Sequence, residues 1–530
     1  MRSHVYGILM VIKFYGHACI YVKTPTISVV TDPWFSKEGA FLSTWFQFPD
    51  NTQLDLTPIR NADYIILSHE HQDHFDVNFL KTISPKTKII IPKYTDSYLY
   101  DTLRENLKNE IIVANSLQKI RLSADVTFCP VVQSVPIWDD CTLVLETPEG
   151  TIVDVNDMKI INQDFEWIKN NFEINYLFIQ FSGANWHPVV YDYPHDRKTE
   201  IAKHKVITKF HNVKELFAAS GADCLIPCAG PPCFLDDEHF ELNFSDESIF
   251  PTQANFYEFA KKEGFAHKTF ILMPGDTFDP TQDCRLVSEK NIRREEFTNQ
   301  RQYLESYKTR RQEIINKRLS TIEPPSGSLL NKCREYFEPL IASSSYFRER
   351  INGKLLLDVT GAINEKIIVD FSKKGDSVKL FENENFFYKL EIDSSFLKLI
   401  LEKKLTWEQL LLSLRFKASR NPDIYNEALI IFLRFADANS YKAYELYETR
   451  KNFSDTFILE HEGKKYEVQK YCPHAMGDLS KGRIIDGCIV CPNHGWTFSI
   501  KDGTCLSKNS SIKIRRVDEE KTAPSMSAKQ

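Results

Sequence analysis

The chain has 530 residues, 42% of them hydrophobic, which is enough for three or four globular domains. A formal net charge of −6 gives no reason to expect nucleic acid or an acidic membrane surface as a partner. The sequence contains no apolar run near the roughly 20 residues that span a bilayer, so no membrane association is predicted. The cysteines, 12 in all, are scattered along the chain and favour a reducing, cytoplasmic location.

The first metal-binding pattern follows a short apolar segment at residues 64–67, which predicts a buried strand. Residues 68–74 then read S-H-E-H-Q-D-H. Because side chains alternate along an extended segment, His69 and His71 can reach one metal ion together. Asp73 and His74 then turn towards a second metal position. The pattern predicts a metal centre; the alternative is a solvated histidine-rich loop, in which four ligand-type residues would have this spacing by accident.

This H-x-H-x-D-H run resembles the metallo-β-lactamase superfamily, and residues 16–18 and 31–34 resemble the opening strands of its lactonase-like branch. Strands alternate with helices and loops from about residue 10 to 285, as the αββα sandwich of that superfamily requires, and we assign this fold to residues 1–285. The resemblance implies a bridging aspartate at a strand end, for which we select Asp157 rather than Asp154. It also implies a last histidine after a glycine-bearing turn, which nominates His239.

The resemblance is incomplete at the first metal position. Its third histidine should fall near residues 135–138, where the sequence has none. His187 is either a substitute ligand or a residue of the core or the substrate pocket. The remaining ligands form two sets of two histidines and one carboxylate: His69, His71 and Asp157, and His74, His239 and Asp73. Such sets suit oxygen-activating Fe(II), so we predict one or two non-haem irons; a hydrolase would instead use zinc to generate hydroxide.

The middle of the chain has two predicted parts. Residues 286–329 are rich in charged side chains, with apolar residues at helical spacing, and predict a charged helical linker. Residues 330–445 predict a small α+β domain. Its predicted strands are residues 355–359, 366–371 and 387–392, and its predicted helices are residues 396–414 and 422–436.

The second metal-binding pattern has the order C-x-H…C-x-x-H, formed by Cys472, His474, Cys491 and His494. A Rieske [2Fe–2S] cluster needs this set, because two thiolates hold one iron and two imidazoles hold the other. Zinc is the alternative, but zinc modules favour C-x-x-C knuckles, which this spacing lacks. We predict an all-β Rieske domain at residues 446–517, followed by a disordered tail at 518–530. The pattern resembles the lower-potential Rieske modules of oxygenases.

Further segments resemble the CMP-N-acetylneuraminic acid hydroxylase family, which combines a metallo-β-lactamase fold with a Rieske module. These segments are residues 181–184, 274–279, 405–410 and 420–425. Vertebrate members of that family have the Rieske module first, whereas it is last in this chain. The resemblance implies a multidomain enzyme that acts on a small molecule, with an N-acyl sugar nucleotide as the suggested substrate.

Together, these patterns predict an oxidoreductase, a Rieske-type monooxygenase or hydroxylase. The cluster would pass electrons to iron bound by the catalytic residues His69, His71, Asp73, His74 and Asp157. The partners would be O2, a small-molecule substrate and an external electron donor (a ferredoxin, a flavoprotein reductase or a cytochrome), since the sequence has no glycine-rich dinucleotide fingerprint. The main alternative is a lactonase- or phosphodiesterase-like metal-dependent hydrolase with a redox-sensing Rieske cluster. The other is an electron carrier with a degenerate hydrolase-like domain.

Overall fold

The computed structural model describes residues 10–133, 135, 139–160, 162–279, 282–451, 453–474, 476–492, 495–506 and 510–517. These residues divide into two compact units. One lies within Met1–Pro422 and Glu427–Tyr447, and the other lies within Asp423–Asn426 and Glu448–Gln530.

The first part of the larger unit alternates strands and helices along the chain. Its strands are β1 (Val11–Gly16), β2 (Cys19–Lys23), β3 (Ser28–Thr31), β4 (Trp45–Phe46), β5 (Tyr64–Ile66), β6 (Lys88–Pro92), β7 (Ile111–Ala114), β8 (Ile120–Arg121), β9 (Thr127–Val132), β10 (Cys141–Thr147), β11 (Gly150–Asp154), β12 (Tyr176–Gln180), β13 (Cys224–Cys228), β14 (Cys233–Phe234) and β15 (Thr277–Phe278). Its helices are α1 (Thr57–Arg60), α2 (Val77–Leu80), α3 (Tyr98–Asn106), α4 (Asn162–Asn171), α5 (His195–Ser220), α6 (Gln253–Lys262), α7 (Cys284–Asn291), α8 (Glu295–Thr298) and α9 (Gln300–Ser320).

Two mixed sheets face each other across a buried apolar core. Their strand orders are β15-β1-β2-β3-β5-β6-β7 and β13-β12-β11-β10-β9-β8. Side chains alternate along a strand, so a strand between two layers has two buried faces. In β5, Ile66 contributes to the core between the sheets and Ile65 to the core under α1, α2 and α3. Helices α4, α5 and α6 cover the outer face of the second sheet. The predicted αββα sandwich is therefore confirmed.

Helix α9 lies in the segment for which the sequence predicts a charged linker. One side of this helix is buried, because Leu304, Tyr307 and Ile315 pack in a cluster with Phe46 and Phe48 of the sandwich. Most of its residues are polar or charged, and this composition hides the apolar face from a composition-based prediction. The helix therefore packs against the sandwich as well as connecting segments of the chain.

The elements of the α+β region lie in the larger unit, apart from the last residues of the final helix. These elements are α10 (Leu330–Ser343), α11 (Ser345–Ile351), β16 (Lys354–Thr360), β17 (Glu365–Asp370), β18 (Val378–Leu380), β19 (Tyr388–Asp393), α12 (Ser394–Leu401), α13 (Trp407–Leu412), β20 (Phe416–Arg420), α14 (Glu427–Phe435) and α15 (Ala438–Arg450). The strands form one sheet in the order β18-β17-β16-β19-β20.

Backbone hydrogen bonds join this sheet to the αββα sandwich. The Ala418 N–H of β20 donates to the Val190 carbonyl over 2.9 Å, and the Asp192 N–H donates back to the Ala418 carbonyl over 3.0 Å. The buried Arg415 donates to the Leu42 carbonyl over 3.2 Å and to a Glu238 carboxylate oxygen over 3.1 Å. The sheet is thus packed directly against the sandwich.

The helix predicted at residues 396–414 is two helices in the structure. Helix α12 ends before Lys403, whose φ of 57° is left-handed. Helix α13 then begins with a capping box, in which the Thr406 side chain accepts from the Gln409 N–H and the Gln409 side chain accepts from the Thr406 N–H. The break matters for the site, because it brings Glu408 into the first turn of a new helix.

The smaller unit contains the segment predicted to be a Rieske domain. Its strands are β21 (Thr456–His461), β22 (Lys464–Gln469), β23 (Arg483–Ile485), β24 (Cys488–Val490), β25 (Thr497–Ser499) and β26 (Ile514–Val517), arranged as two three-stranded sheets, β21-β22-β26 and β23-β24-β25. Cys472 and Cys491 lie in its core with Val468, Ile489 and Phe498. The all-β prediction is confirmed. In the described parts of both units, every helix is too short or too polar to cross a bilayer.

Candidate active site

Loops that follow parallel strands of the sandwich meet to form one polar site. Strands β1, β3 and β5 run in the same direction, so the residues that follow them lie at the same edge of the first sheet. These residues include His17, Asp32 and the His69–His74 motif. Asn156 and Asp157, which follow β11 of the facing sheet, contact them. The site is therefore assembled from segments far apart in sequence.

The first candidate metal position lies between two imidazoles of the motif. His69 Nε2 and His71 Nδ1 are only 2.8 Å apart. A carboxylate oxygen of Asp157 joins them, with all three ligand atoms within 4.8 Å of one another. This is the set of two histidines and one carboxylate that the sequence predicted, and it can bind one divalent cation.

The second position adjoins the first. His17 Nε2 lies 3.1 Å from Asp73 Oδ2, and His74 Nε2 lies 3.8 Å from the same oxygen. His74 Nε2 is also 3.5 Å from Asp157 Oδ1, so Asp157 lies between the two positions and can bridge them. The sequence analysis treated His17 only as part of a resembling segment. The structure brings it into this donor group in the place expected for His239.

The donor atoms fit a metal site because several of them are buried without another partner. Among the described residues, His74 Nε2, Asp73 Oδ1 and Asp157 Oδ1 are buried and make no hydrogen bond. Buried polar atoms without partners are costly, so a ligand is expected to satisfy them. The donors are all imidazole nitrogens and carboxylate oxygens, which suit zinc or non-haem iron.

The outward-facing ring nitrogens hold the histidines in the orientation that metal binding requires. His74 Nδ1 lies 3.0 Å from Asp32 Oδ2, and His69 Nδ1 lies 2.8 Å from the Ser68 hydroxyl. Asp32 is fixed in turn by the Ser68 N–H, which donates to it over 2.7 Å, and by the Asn156 side-chain amide. Such outer partners set the tautomer, so that Nε2 of both rings is left for metal.

His71 has a partner from the α+β region. Its Nε2 lies 3.3 Å from a carboxylate oxygen of Glu408, and the Arg434 guanidinium donates to the same oxygen. Burial by itself would raise the pKa of Glu408, but the positive charges of Arg434 and His71 outweigh it and lower that pKa to about 2. Glu408 conversely raises the pKa of His71 to about 9 against the effect of burial. By contrast, burial and the neighbouring His74 and His71 lower the pKa of His69 to about 4.

A carboxylate lies where the first position lacks its third histidine. Residues 136–138 of the expected stretch are outside the described part of the chain, but Asp140, directly before β10, is described. Asp140 Oδ1 lies 3.8 Å from His69 Nε2, and the Gln133 N–H fixes the local backbone by donating to the Asp140 carbonyl over 2.9 Å. The sequence contained a signal for this carboxylate, because Asp139 and Asp140 directly follow residue 138.

The structure does not bring His239 and His187 into this donor group. His239 Nδ1 lies 2.8 Å from an Asp236 oxygen, and its Nε2 lies 3.3 Å from the Leu414 carbonyl, so both ring nitrogens are engaged elsewhere. The ring of His187 packs edge-on against Tyr191, with centroids 4.8 Å apart. It therefore resembles the core or pocket residue that the sequence analysis kept as its alternative.

The second cofactor motif lies in two turns of the smaller unit. The Cys472 N–H donates to the Gly477 carbonyl over 2.8 Å, and the Cys491 N–H donates to the Trp496 carbonyl over 2.7 Å. His474 stacks on Trp496, with ring centroids 4.6 Å apart and planes 1° from parallel. The two ligand turns are thus brought side by side. His494, the fourth ligand predicted from the sequence, lies outside the described residues.

Comparison with known protein families agrees with this architecture. A Rieske [2Fe-2S] domain matches residues 436–516, and a beta-lactamase superfamily domain matches residues 11–124. A third match, an Rv3818-like, SCP2-like domain, covers residues 329–449. The chain therefore combines a metallo-β-lactamase fold with a Rieske [2Fe–2S] domain, and the predicted cluster is confirmed.

The chain also resembles individual proteins. It is 29% identical over 514 residues to the "Putative Rieske 2Fe-2S iron-sulfur protein" of Mycolicibacterium smegmatis, over 93% of this chain and 97% of that protein. A segment of 65 residues is 42% identical to part of a cholesterol 7-desaturase of Xenopus laevis. The segment covers 12% of this chain and 14% of the desaturase. The solved structure of CmlA, a diiron β-hydroxylase from Streptomyces venezuelae, aligns with 51% of this chain and with 54% of the CmlA chain. The sequence identity is 14% and the TM-score is 0.35.

Proposed function

We propose that this chain is a Rieske-type non-haem iron oxygenase, which hydroxylates or otherwise oxygenates a small substrate. The proposal rests on one observation: imidazole and carboxylate donors converge at two adjacent positions in a chain that also has a Rieske domain. When bound, the cluster supplies single electrons and the iron supplies oxygen activation. The local similarity to a cholesterol 7-desaturase supports an oxidative role.

In this proposal each residue has a defined task. His69 Nε2, His71 Nδ1 and Asp157 would hold the first metal, with Asp140 beside them in place of the absent histidine. His17 Nε2, Asp73 and His74 Nε2 would hold the second, and Asp157 lies where it could serve both. The Rieske ligands are Cys472, His474, Cys491 and His494. Asp32 and Ser68 keep the histidine rings in place.

Two lysines near the metal position support an anionic substrate. Lys209 of α5 donates to the Gln180 side chain over 2.7 Å, and Gln180 ends β12 at the same edge of the sheet as the site. Burial and the nearby Lys159 lower the pKa of Lys209 to about 8, although Asp157 attracts its charge. Cationic groups at this position would attract a phosphate or carboxylate. This agrees with the N-acyl sugar nucleotide that the family resemblance suggests.

The remaining parts of the proposal follow from the sequence. We retain the domain limits of residues 1–285, 286–329, 330–445 and 446–517. Electrons would come from an external ferredoxin, flavoprotein reductase or cytochrome. A reducing cytoplasm remains the proposed location, because the cluster ligands must be thiolates.

A metal-dependent hydrolase is the second candidate, and His17 is the observation that favours it. With His17 in place, the second position has two histidines and a carboxylate, and Asp157 lies between the positions. Two adjacent metals with a bridging carboxylate also suit hydrolysis, where zinc generates hydroxide. In that case the Rieske cluster would have a redox-sensing role.

Metal analysis distinguishes the two candidates. We expect three or four irons per chain for the oxygenase, two in the cluster and one or two in the site formed by the His69–His74 motif, with EPR of the reduced protein reporting the cluster separately. Two irons together with zinc would contradict the oxygenase and favour the hydrolase. The protein should be purified without added metal, so that the metal found reflects the site's own preference.

A further inference from the structure

The metal motif has a contact that neither the Rieske domain nor the αββα sandwich supplies. Glu408 belongs to the α+β region, in the first turn of α13, and its carboxylate lies 3.3 Å from His71 Nε2. Only 14% of its side chain is exposed, so the contact is well shielded from solvent. The capping box at Thr406 and the buried Trp407 fix this turn. The turn therefore holds Glu408 rigidly against the motif.

The geometry at His71 assigns different tasks to its two ring nitrogens. Nδ1 faces His69 Nε2 at 2.8 Å, on the side of the first metal position, and Nε2 faces Glu408. An imidazole that binds metal through one nitrogen keeps its proton on the other. A carboxylate that accepts a hydrogen bond from this N–H fixes the tautomer and makes the ring a better electron-pair donor to metal. Glu408 is therefore placed to direct the Nδ1 lone pair towards the metal.

Arg434 orients the same carboxylate oxygen. Its guanidinium, from α14 of the α+β region, hydrogen-bonds the Glu408 oxygen that faces His71. An arginine at this place keeps the carboxylate ionised and limits its rotation. The path Arg434–Glu408–His71 thus runs from the α+β region to the first metal position.

We propose that Glu408 is a positioning residue of the first metal position, so that the α+β region is an integral part of the active site. This inference rests on the metal centre of the proposed function, but holds for either iron or zinc. The competing explanation is that Glu408 and Arg434 form an ordinary buried ion pair that only stabilises the packing of α13. In that case their loss would lower stability without changing the metal affinity of the folded protein.

Co²⁺ binding to the full-length protein separates these explanations. The protein, with its Rieske cluster retained and its other metal removed by mild chelation, would be dialysed to equilibrium against Co²⁺. We expect Glu408→Ala to raise the dissociation constant of one of the two Co²⁺ ions about 10–100-fold, because loss of an outer carboxylate partner typically weakens metal binding by this factor. Glu408→Gln keeps an acceptor oxygen but loses the charge, so its effect should be smaller and should partly restore binding.

Glu402→Gln is the matched control. Glu402 lies in the same region and forms ion pairs with Lys332 and Lys404, at 2.6 and 2.9 Å, away from the metal motif. This variant should bind Co²⁺ like the native protein. Thermal unfolding and the visible absorption of the cluster would confirm that each variant is folded.

Each outcome of this experiment decides the inference. Graded weakening at one position in folded Glu408 variants supports it. Native affinity in both Glu408 variants would overturn it, as would loss of both Co²⁺ ions together with cooperative unfolding, which indicates a purely structural role. If the native protein itself binds no Co²⁺, the metal centre of the proposed function fails, and the inference fails with it.

Discussion

Asp157→Ala is expected to abolish oxygenation and to release metal from both positions, while the Rieske absorption stays native. Asp157 Oδ1 lies 3.5 Å from His74 Nε2, and the carboxylate also belongs to the group with His69 and His71. Its loss removes a ligand shared by the two positions and the carboxylate that lies between their imidazoles. Loss of a residue that only hydrogen-bonds a metal ligand typically reduces metal affinity about 10–100-fold. Loss of Asp157, a direct ligand, should therefore reduce metal affinity at least about 100-fold. Metal analysis and the visible spectrum of the same sample measure both effects.

His239→Ala is the control for this experiment. His239 was the ligand nominated by sequence, but its ring nitrogens face Asp236 and the Leu414 carbonyl. The variant should therefore keep the native metal content, with at most a modest loss of stability. Retention of both metals by Asp157→Ala, or loss of a metal by His239→Ala, would show that the ligand assignment is wrong.

Cys491→Ser is expected to remove the visible absorption of the cluster and to reduce oxygenation to background, with metal still bound at the His69–His74 motif. Serine cannot replace the thiolate that holds cluster iron, and without the cluster no single-electron supply remains. Because Cys491 belongs to the smaller unit and the motif to the larger one, the two sites should be lost independently. Absorption spectra and metal analysis of the purified variant test this.

The natural comparison is Cys488→Ser, three residues earlier. Cys488 is buried in β24 and pairs in register with Ser499 rather than lying in a ligand turn. Its replacement should leave the cluster spectrum unchanged. A bleached spectrum in Cys488→Ser, or a native one in Cys491→Ser, would contradict the assignment of the Rieske ligands.

The parts of the site that could be predicted are those encoded within a few residues. His69, His71, Asp73 and His74 follow one buried strand, so alternation and a turn suffice to group them. Asp157 came from the resemblance to the metallo-β-lactamase superfamily, which implies an aspartate at a strand end. The Rieske pattern is similarly local, with each pair of ligands within a four-residue segment.

The contributions that sequence did not reveal depend on long-range packing. His17 precedes Asp73 by 56 residues, and their side chains meet only because β1, β3 and β5 lie side by side. Glu408 reaches His71 across 337 positions, through docking of the α+β sheet on the sandwich. His239 was nominated for its place after a turn, but its ring nitrogens face the nearby Asp236 and the distant Leu414 carbonyl instead.

The most direct test of the account follows the cluster of the reduced protein after it meets oxygen. Full-length protein would be reduced with dithionite under anaerobic conditions and mixed rapidly with O2, and the return of the oxidised cluster spectrum would be timed. We expect fast reoxidation in the native protein and much slower reoxidation in Asp157→Ala, because the electrons should reach O2 through the metal pocket. Equal rates in the two proteins would contradict the claim that the cluster serves that pocket.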